Sequence, residues 1–215
     1  MRLSFIRLVL GPLGNNVYLL GDEDTKAAVI IDPSFESEDA VAEATRQGWI
    51  LKQIWLTHAH FDHTAGSKQV AESFSPQLPV GIHKDAEEWM NTYGIGNNFG
   101  FEVPPVPTQR FHFRQGEYLS LDPAINEPVV EVREAPGHSP GSVVFYCELL
   151  GVLFCGDVIF RESIGRTDLQ GGDYDTLINS IQSQVMSLPD ATTLLPGHGP
   201  ESSVGYERIN NPYLA

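Results

Sequence analysis

From His58 to His63 the chain sets three imidazoles and one carboxylate within six residues, in the run Thr57-His58-Ala59-His60-Phe61-Asp62-His63. Neutral imidazole and carboxylate are metal donors, so this density reads as a metal site, where a lone histidine would read as an ordinary core or surface residue. The preceding Lys52-Gln53-Ile54-Trp55-Leu56-Thr57 reads as a short apolar strand and 64–74 as a helix, which puts the run in a strand-to-helix loop. Side chains alternate along extended backbone, so His58 and His60 face one ion from one side. Asp62 and His63 follow where the chain turns, placed to face a second ion beside the first.

Three further polar residues each end an apolar run next to a glycine: Pro136-Gly137-His138, Cys155-Gly156-Asp157 and Pro196-Gly197-His198. With the first run they make five histidines and two aspartates, more than one catalytic ion with an open position needs. The assignment that uses all seven puts His58, His60 and His138 on a first metal, Asp62, His63 and His198 on a second, and Asp157 between them. Asp62 and Asp157 are then the catalytic carboxylates. A donor set of nitrogen and oxygen alone does not select strongly for zinc, so two divalent ions are expected, zinc first, with iron or manganese open. Such a pair lowers the pKa of bound water from about 15.7 to roughly 7 and needs no serine nucleophile. Ser139 and Ser142 lack a GxSxG elbow and read as loop and strand residues. His83 and His112 fall outside the set and read as hydrogen-bonded side chains. Asp32, ending an apolar strand, has two readings: a turn residue, or an acceptor for the far nitrogen of a metal-facing histidine.

Around these residues, 2–10, 16–20 and 27–31 read as strands joined by Gly-, Pro- and Asn-containing turns at hairpin spacing. Ser37 to Gln47 carries helical spacing and stops at Gly48. A strand at 79–83 and a helix at 85–93 follow, then an irregular stretch over 94–110 that reads either as a functional loop or as plain surface. Strands return at 111–113, 128–135, 142–147 and 151–155, then a helix from Asp173 to Leu188, a strand at 192–195 and a helix near 203–210. The order is β-rich, α/β, β-rich, α/β, which suggests two similar halves of one layered α/β domain over residues 1–215. The net charge of -15 opposes attraction to nucleic acid or anionic membrane. Neither a signal peptide nor a membrane-length apolar run is present, so a cytoplasmic location is expected, with Cys147 and Cys155 as small buried hydrophobes in preference to a disulfide.

The histidine run, followed by His138, Asp157 and His198 in that order, resembles the metallo-β-lactamase fold superfamily over nearly the whole chain. That resemblance implies a four-layer αββα sandwich with the metals at one edge between two sheets. With Ala135-Pro136-Gly137-His138-Ser139-Pro140-Gly141, Gly165-Arg166-Thr167-Asp168 and Pro196-Gly197-His198-Gly199, the sequence is most similar to the glyoxalase II group, in particular short bacterial hydroxyacylglutathione hydrolase-like proteins. The implied reaction is hydrolysis of S-D-lactoylglutathione, a small-molecule thioester, to D-lactate and glutathione by a hydroxide held between the metals. Full-length glyoxalase II carries a C-terminal helical domain for glutathione, which is not expected here, and a tyrosine where this chain has Pro200. Arg166 stands where that family has a glutathione-binding lysine; it reads either as a substrate-carboxylate ligand or as an ion-pair partner of Asp168 or Asp173. The resemblance also covers a rival of another class, a mononuclear iron persulfide dioxygenase, and other hydrolases such as lactonases. A β-lactamase is disfavoured by the lack of a signal peptide and of a cysteine ligand.

Overall fold

The computed structural model describes residues 1–93, 100–125 and 127–214. Strands β1 (Leu3–Leu10), β2 (Asn15–Asp22) and β3 (Ala27–Ile31) form an antiparallel meander on the hairpins the turns predict. Parallel pairing then takes over from β3 through β4 (Ile50–Trp55) and β5 (Val80–His83) to β6 (Arg110–Phe113). Parallel neighbours need crossovers. The first two of these carry α1 (Glu38–Arg46), then α2 (Phe61–Thr64) and α3 (Ser67–Glu72); α4 (Lys84–Tyr93) lies in the third.

The second half builds a second six-stranded sheet from β7 (Tyr118–Ser120), β8 (Pro128–Glu134), β9 (Val143–Cys147) and β10 (Val152–Gly156). After a small hairpin of β11 (Ile159–Phe160) and β12 (Ser163–Ile164) come α5 (Tyr174–Ser180) and a π-helical turn at Ile181–Val185. The sheet is completed by β13 (Thr193–Pro196), parallel to β10, and β14 (Ser202–Ser203), before α6 (Val204–Asn210).

Three apolar layers hold the four structural layers together. Alternate residues of one strand feed different layers: Val17, Leu19, Ala28 and Ile30 pack on Ala40, Ala44, Val70 and Met90 of the first helices. Tyr18, Leu20, Val29 and Ile31 pack instead across to Val132, Phe145 and Phe154 of the second sheet. Leu153 and Cys155 of β10 point the other way, onto Leu177, Ile181 and Val204. Strands buried on both faces read as continuous apolar runs, which is why they stood out in the sequence. The arrangement is the four-layer αββα sandwich, with its sheets in mid-molecule and helices outside.

The structure differs from expectation in detail. The helix read at 64–74 is two helices, broken where the Gly66 amide donates to Pro33 O at 2.9 Å, and the first begins at Phe61. Asp62 and His63 are therefore helical, not in a loop. Strands β7, β11, β12 and β14 are two or three residues long, too short to show a period. Of the 94–110 stretch, residues 94–99 lie outside the described residues; 100–109 hold no regular element. Cys147 and Cys155 are both buried and free, and no helix among the described residues is long and apolar enough to cross a membrane.

Phe154 sits at the centre of the inter-sheet layer, its ring edge-on to Tyr18 at 5.2 Å and to Phe5 at 6.1 Å. Phe154→Ala is expected to cost about 3–5 kcal/mol in denaturant unfolding, from lost transfer energy plus the cavity left behind. A loss below about 1 kcal/mol would mean that this layer does not hold the sheets together.

Candidate metal centre

Every residue picked out as a ligand follows a strand that points toward the same edge. His58 and His60 follow β4, His138 follows β8, Asp157 follows β10 and His198 follows β13. Loops beyond the carboxyl ends of such strands are where α/β sheets place ligands. The two sheets are stitched together at this edge: Val143 N donates to Thr57 O at 2.8 Å and Asn16 N to Gly197 O at 2.7 Å.

The seven side chains lie close together. Potential donor atoms of His58, His60 and His138 lie within 4.8 Å of one another, and so do those of Asp62, His63 and His198. Asp157 lies between the groups, Oδ2 at 3.8 Å from His138 Nε2 and 3.7 Å from His198 Nε2, with Oδ1 3.4 Å from His63 Nε2. Two donors of one tetrahedral ion, each at about 2.0–2.1 Å, are roughly 3.3 Å apart. In the second group His63 Nε2 is 3.3 Å from His198 Nε2, His198 Nε2 is 3.2 Å from Asp62 Oδ2, and His63 Nε2 is 3.5 Å from the same oxygen. In the first, His60 Nδ1 and His138 Nε2 are 2.8 Å apart. Buried His58 Nε2 has no hydrogen-bond partner among the described residues, an expensive state for a polar atom unless a cation takes it. The donor set thus fits divalent ions.

Which nitrogen each ring presents is decided on its far side. Thr57 Oγ1 donates its one proton to Asp32 Oδ2 at 2.6 Å, so it must accept from His58 Nδ1 at 2.9 Å. That leaves the lone pair of His58 on Nε2, aimed at the site. Asp32 Oδ2 also takes the Nδ1 proton of His63 at 3.0 Å, and His138 Nδ1 donates to Arg166 O at 2.8 Å. Such partners fix tautomer and ring orientation in metal sites. Asp32 therefore answers to both of its readings: it turns the chain, at φ +52°, and it orients histidines.

Crowding explains the glycines beside the ligands. A Cβ on Gly156 would lie 2.3 Å from Thr57 Oγ1, and one on Gly197 2.3 Å from Asp157 Oδ1 and 2.5 Å from His63 Cε1. Any larger residue at either position would push the two sheets' contributions apart.

One member escaped the sequence reading. Asn15 reads in sequence as a turn residue, yet it is fully buried and its Nδ2 donates to Asp62 Oδ2 at 2.8 Å. The available signal was a pair of asparagines opening an otherwise apolar strand. Trp89 was also missed; its ring meets His60 edge-on at 5.4 Å while Nε1 donates to Gln170 O. Arg166 reaches the rim of the site and forms a two-pronged pair with Asp168, at 2.8 Å for each bond. Asp173 is not its partner, because that carboxylate caps α5 through Thr176 N.

The electrostatics separate the two groups. Burial, with neighbouring imidazoles added, pushes His58 well down and His60 down to about 3; burial also lowers His138 against the pull of Asp157. Burial works the other way on the carboxylates, but His63 and the neighbouring histidines outweigh it, holding Asp157 at about 2 and Asp62 lower than usual. His63 and His198 are raised despite burial, His63 by Asp157, Asp62 and Asp32, His198 by Asp62 and Asp157. Burial thus favours neutral, cation-ready imidazoles in the first group, whereas the carboxylates favour protons on the second that a cation must displace. Calorimetric metal titration of the metal-free protein, in two buffers of different ionisation enthalpy, should show proton release at one binding step only. That release should fall in His198→Ala, which leaves only His63 among the raised histidines; equal release at both steps would contradict this picture.

The family model described as the metallo-beta-lactamase superfamily matches residues 10–198. "Probable metallo-hydrolase YqgX" of Bacillus subtilis is 36% identical over 211 residues, covering 97% of this chain and 96% of that protein. "Hydroxyacylglutathione hydrolase GloC" of Haemophilus influenzae is 35% identical over 193 residues, 89% of each. Among solved structures, BLEG-1 B3 metallo-beta-lactamase superposes with TM-score 0.83 at 35% identity, covering 99% of this chain and 100% of that one. TTHA1623 in a di-iron-bound form superposes with TM-score 0.83 at 34% identity, covering 97% and 100%. Fold, ligand order and convergent donors agree with these likenesses: the chain belongs to the metallo-β-lactamase superfamily.

Proposed function

We propose that this chain is a metal-dependent thioester hydrolase that cleaves S-D-lactoylglutathione to D-lactate and glutathione. The observation that carries the reading is the position of Asp157, between one group of three histidines and a second group of two histidines and Asp62. Likeness to GloC supports the substrate.

Two bound divalent ions would supply an activated water and a Lewis acid for the thioester carbonyl oxygen. The chain's own residues do the rest. A cavity of about 350 Å³ opens onto His60, Asp62, His138 and Asp157, and its described lining contains no serine, threonine, cysteine, lysine or tyrosine. With no hydroxyl, thiol or amine nucleophile in that lining, water is the attacking group in our reading: it gives up a proton as the C–O bond forms, the C–S bond breaks, and the thiolate takes up a proton. Ser139 and Ser142 are buried and bonded to one another at 3.0 Å, and burial raises both cysteine thiols. In our reading His58, His60 and His138 hold one ion and Asp62, His63 and His198 the other. Asp62 and Asp157, ionised and buried, balance the added cationic charge. Arg166, at the rim, holds a substrate carboxylate by exchanging its bonds to Asp168.

Purified protein should remove the thioester absorbance of S-D-lactoylglutathione with about two metals per chain, and His58→Ala should abolish this. With the di-iron likeness of TTHA1623, and an all nitrogen-and-oxygen donor set, iron is a second metal to load besides zinc. No turnover, together with one iron per chain and oxygen uptake on glutathione persulfide, would replace this reading with a persulfide dioxygenase. Turnover of a chromogenic cephalosporin in place of the thioester would replace it with a β-lactamase, the activity named for BLEG-1. Arg166→Ala should raise KM about tenfold or more, the worth of a hydrogen bond to a charged group. An unchanged KM would remove Arg166 from substrate binding.

A further inference from the structure

Part of the cavity lining is apolar. Leu13, Phe61, Phe101 and Leu169 line it. Phe101 stacks on Phe61 at 5.1 Å between centroids and leans on Phe35 at 5.7 Å, a small aromatic shelf beside the metal centre. Leu13 stands in the β1–β2 turn, where Gly14 N closes back on Gly11 O, and it is 46% exposed. A turn of this kind asks for polar or flexible residues and has no structural use for an exposed leucine. Phe61 is buried and Phe101 and Leu169 are partly so, and apolar side chains clustered in a cavity beside polar groups mark a binding site.

Cationic groups are scarce by comparison. Arg166 is the one cation among the described residues lining the cavity, and Asp168 already occupies its fork. Residues 100–105 contain no lysine or arginine, only Glu102, and the chain as a whole carries -15. Arg166 and Leu13 approach the centre beside different residues. The Arg166 backbone meets His138, whereas Leu13 lies two residues before Asn15, which meets Asp62. A substrate with its carbonyl at the metals can therefore send one arm to Arg166 and the other to the apolar shelf.

We propose that Leu13, Phe61 and Phe101 form an acyl-chain pocket, and that the preferred substrates are thioesters of apolar acyl groups longer than lactoyl. This rests on the hydrolase reading for the scissile bond, but the pocket is tested without turnover. The probes are S-alkyl thioethers of N-acetylcysteamine, methyl to octyl, which cannot be hydrolysed. Titrated calorimetrically into the metal-loaded protein, they should tighten in Kd by roughly two- to fourfold per methylene until the cavity is filled. Heat capacity changes should grow more negative along the series. Leu13→Ser and Phe101→Ser, at exposed or partly exposed positions, should each flatten the ladder. A Kd independent of chain length in the unmutated protein overturns the proposal, whether or not the variants fold. The matching thioesters then separate the two readings. A steep Kd ladder with no hydrolysis of any thioester removes the hydrolase and leaves the pocket. Turnover of S-D-lactoylglutathione with a flat ladder removes the pocket and leaves the hydrolase.

Discussion

One buried carboxylate organises the centre. Asp32 accepts from Thr57 N at 2.7 Å and from Thr57 Oγ1 at 2.6 Å, and faces His63 Nδ1 at 3.0 Å. A charge buried between a sheet and its helices is tolerable only when its oxygens are satisfied, and here they are satisfied by groups that also define the metal centre. Through Thr57 it sets the tautomer of His58, and directly it sets that of His63. Two residues assigned to different metals thus take their orientation from one oxygen. The left-handed backbone at Asp32 is a local cost that lets a strand end and an acceptor coincide.

Around this point the layers act as a jig. β3 and β4 run parallel and end together, which brings Asp32 level with Thr57. The second sheet contributes His138, Asp157 and His198 from strand ends that meet the same edge. Neither sheet holds a full set of donors. The inter-sheet apolar layer, with Trp55, Phe113, Phe145 and Phe154 among its largest members, therefore fixes donor-to-donor distances as well as stability.

What was legible in the sequence divides along physical lines. The His58–His63 run, and the three glycine-flanked positions after it, stood out because their chemistry is local and dense. The doubly buried strands stood out because layers on both sides leave no polar face. Asn15 did not, because an asparagine next to a glycine in a turn is the commonest of readings, and only the fold brings it to Asp62. The π-helical turn at Ile181–Val185 and the break at Gly66 were equally hidden: each depends on contacts with chain that is distant in sequence. The Arg166 alternatives needed geometry too, since only the structure shows Asp173 spent on capping α5 and Asp168 in the guanidinium fork.

The placement of β13 has a consequence for the order in which the molecule is made. His198 joins a centre whose first residues appear near His58, and the bonds that seat it run from Asn16 to Gly197 and from Asn16 and Tyr18 side chains to Pro196 O. These contacts close nearly the entire chain into one loop, among the least local pairings the fold contains, and such pairings are slow to form. A ribosome-bound chain can complete the first sheet while β10 still lacks β13 as its parallel neighbour. Until β13 and β14 emerge, that half-built edge presents unpaired backbone groups to its surroundings, so the synthesis of this stretch both seals the sheet and delivers His198.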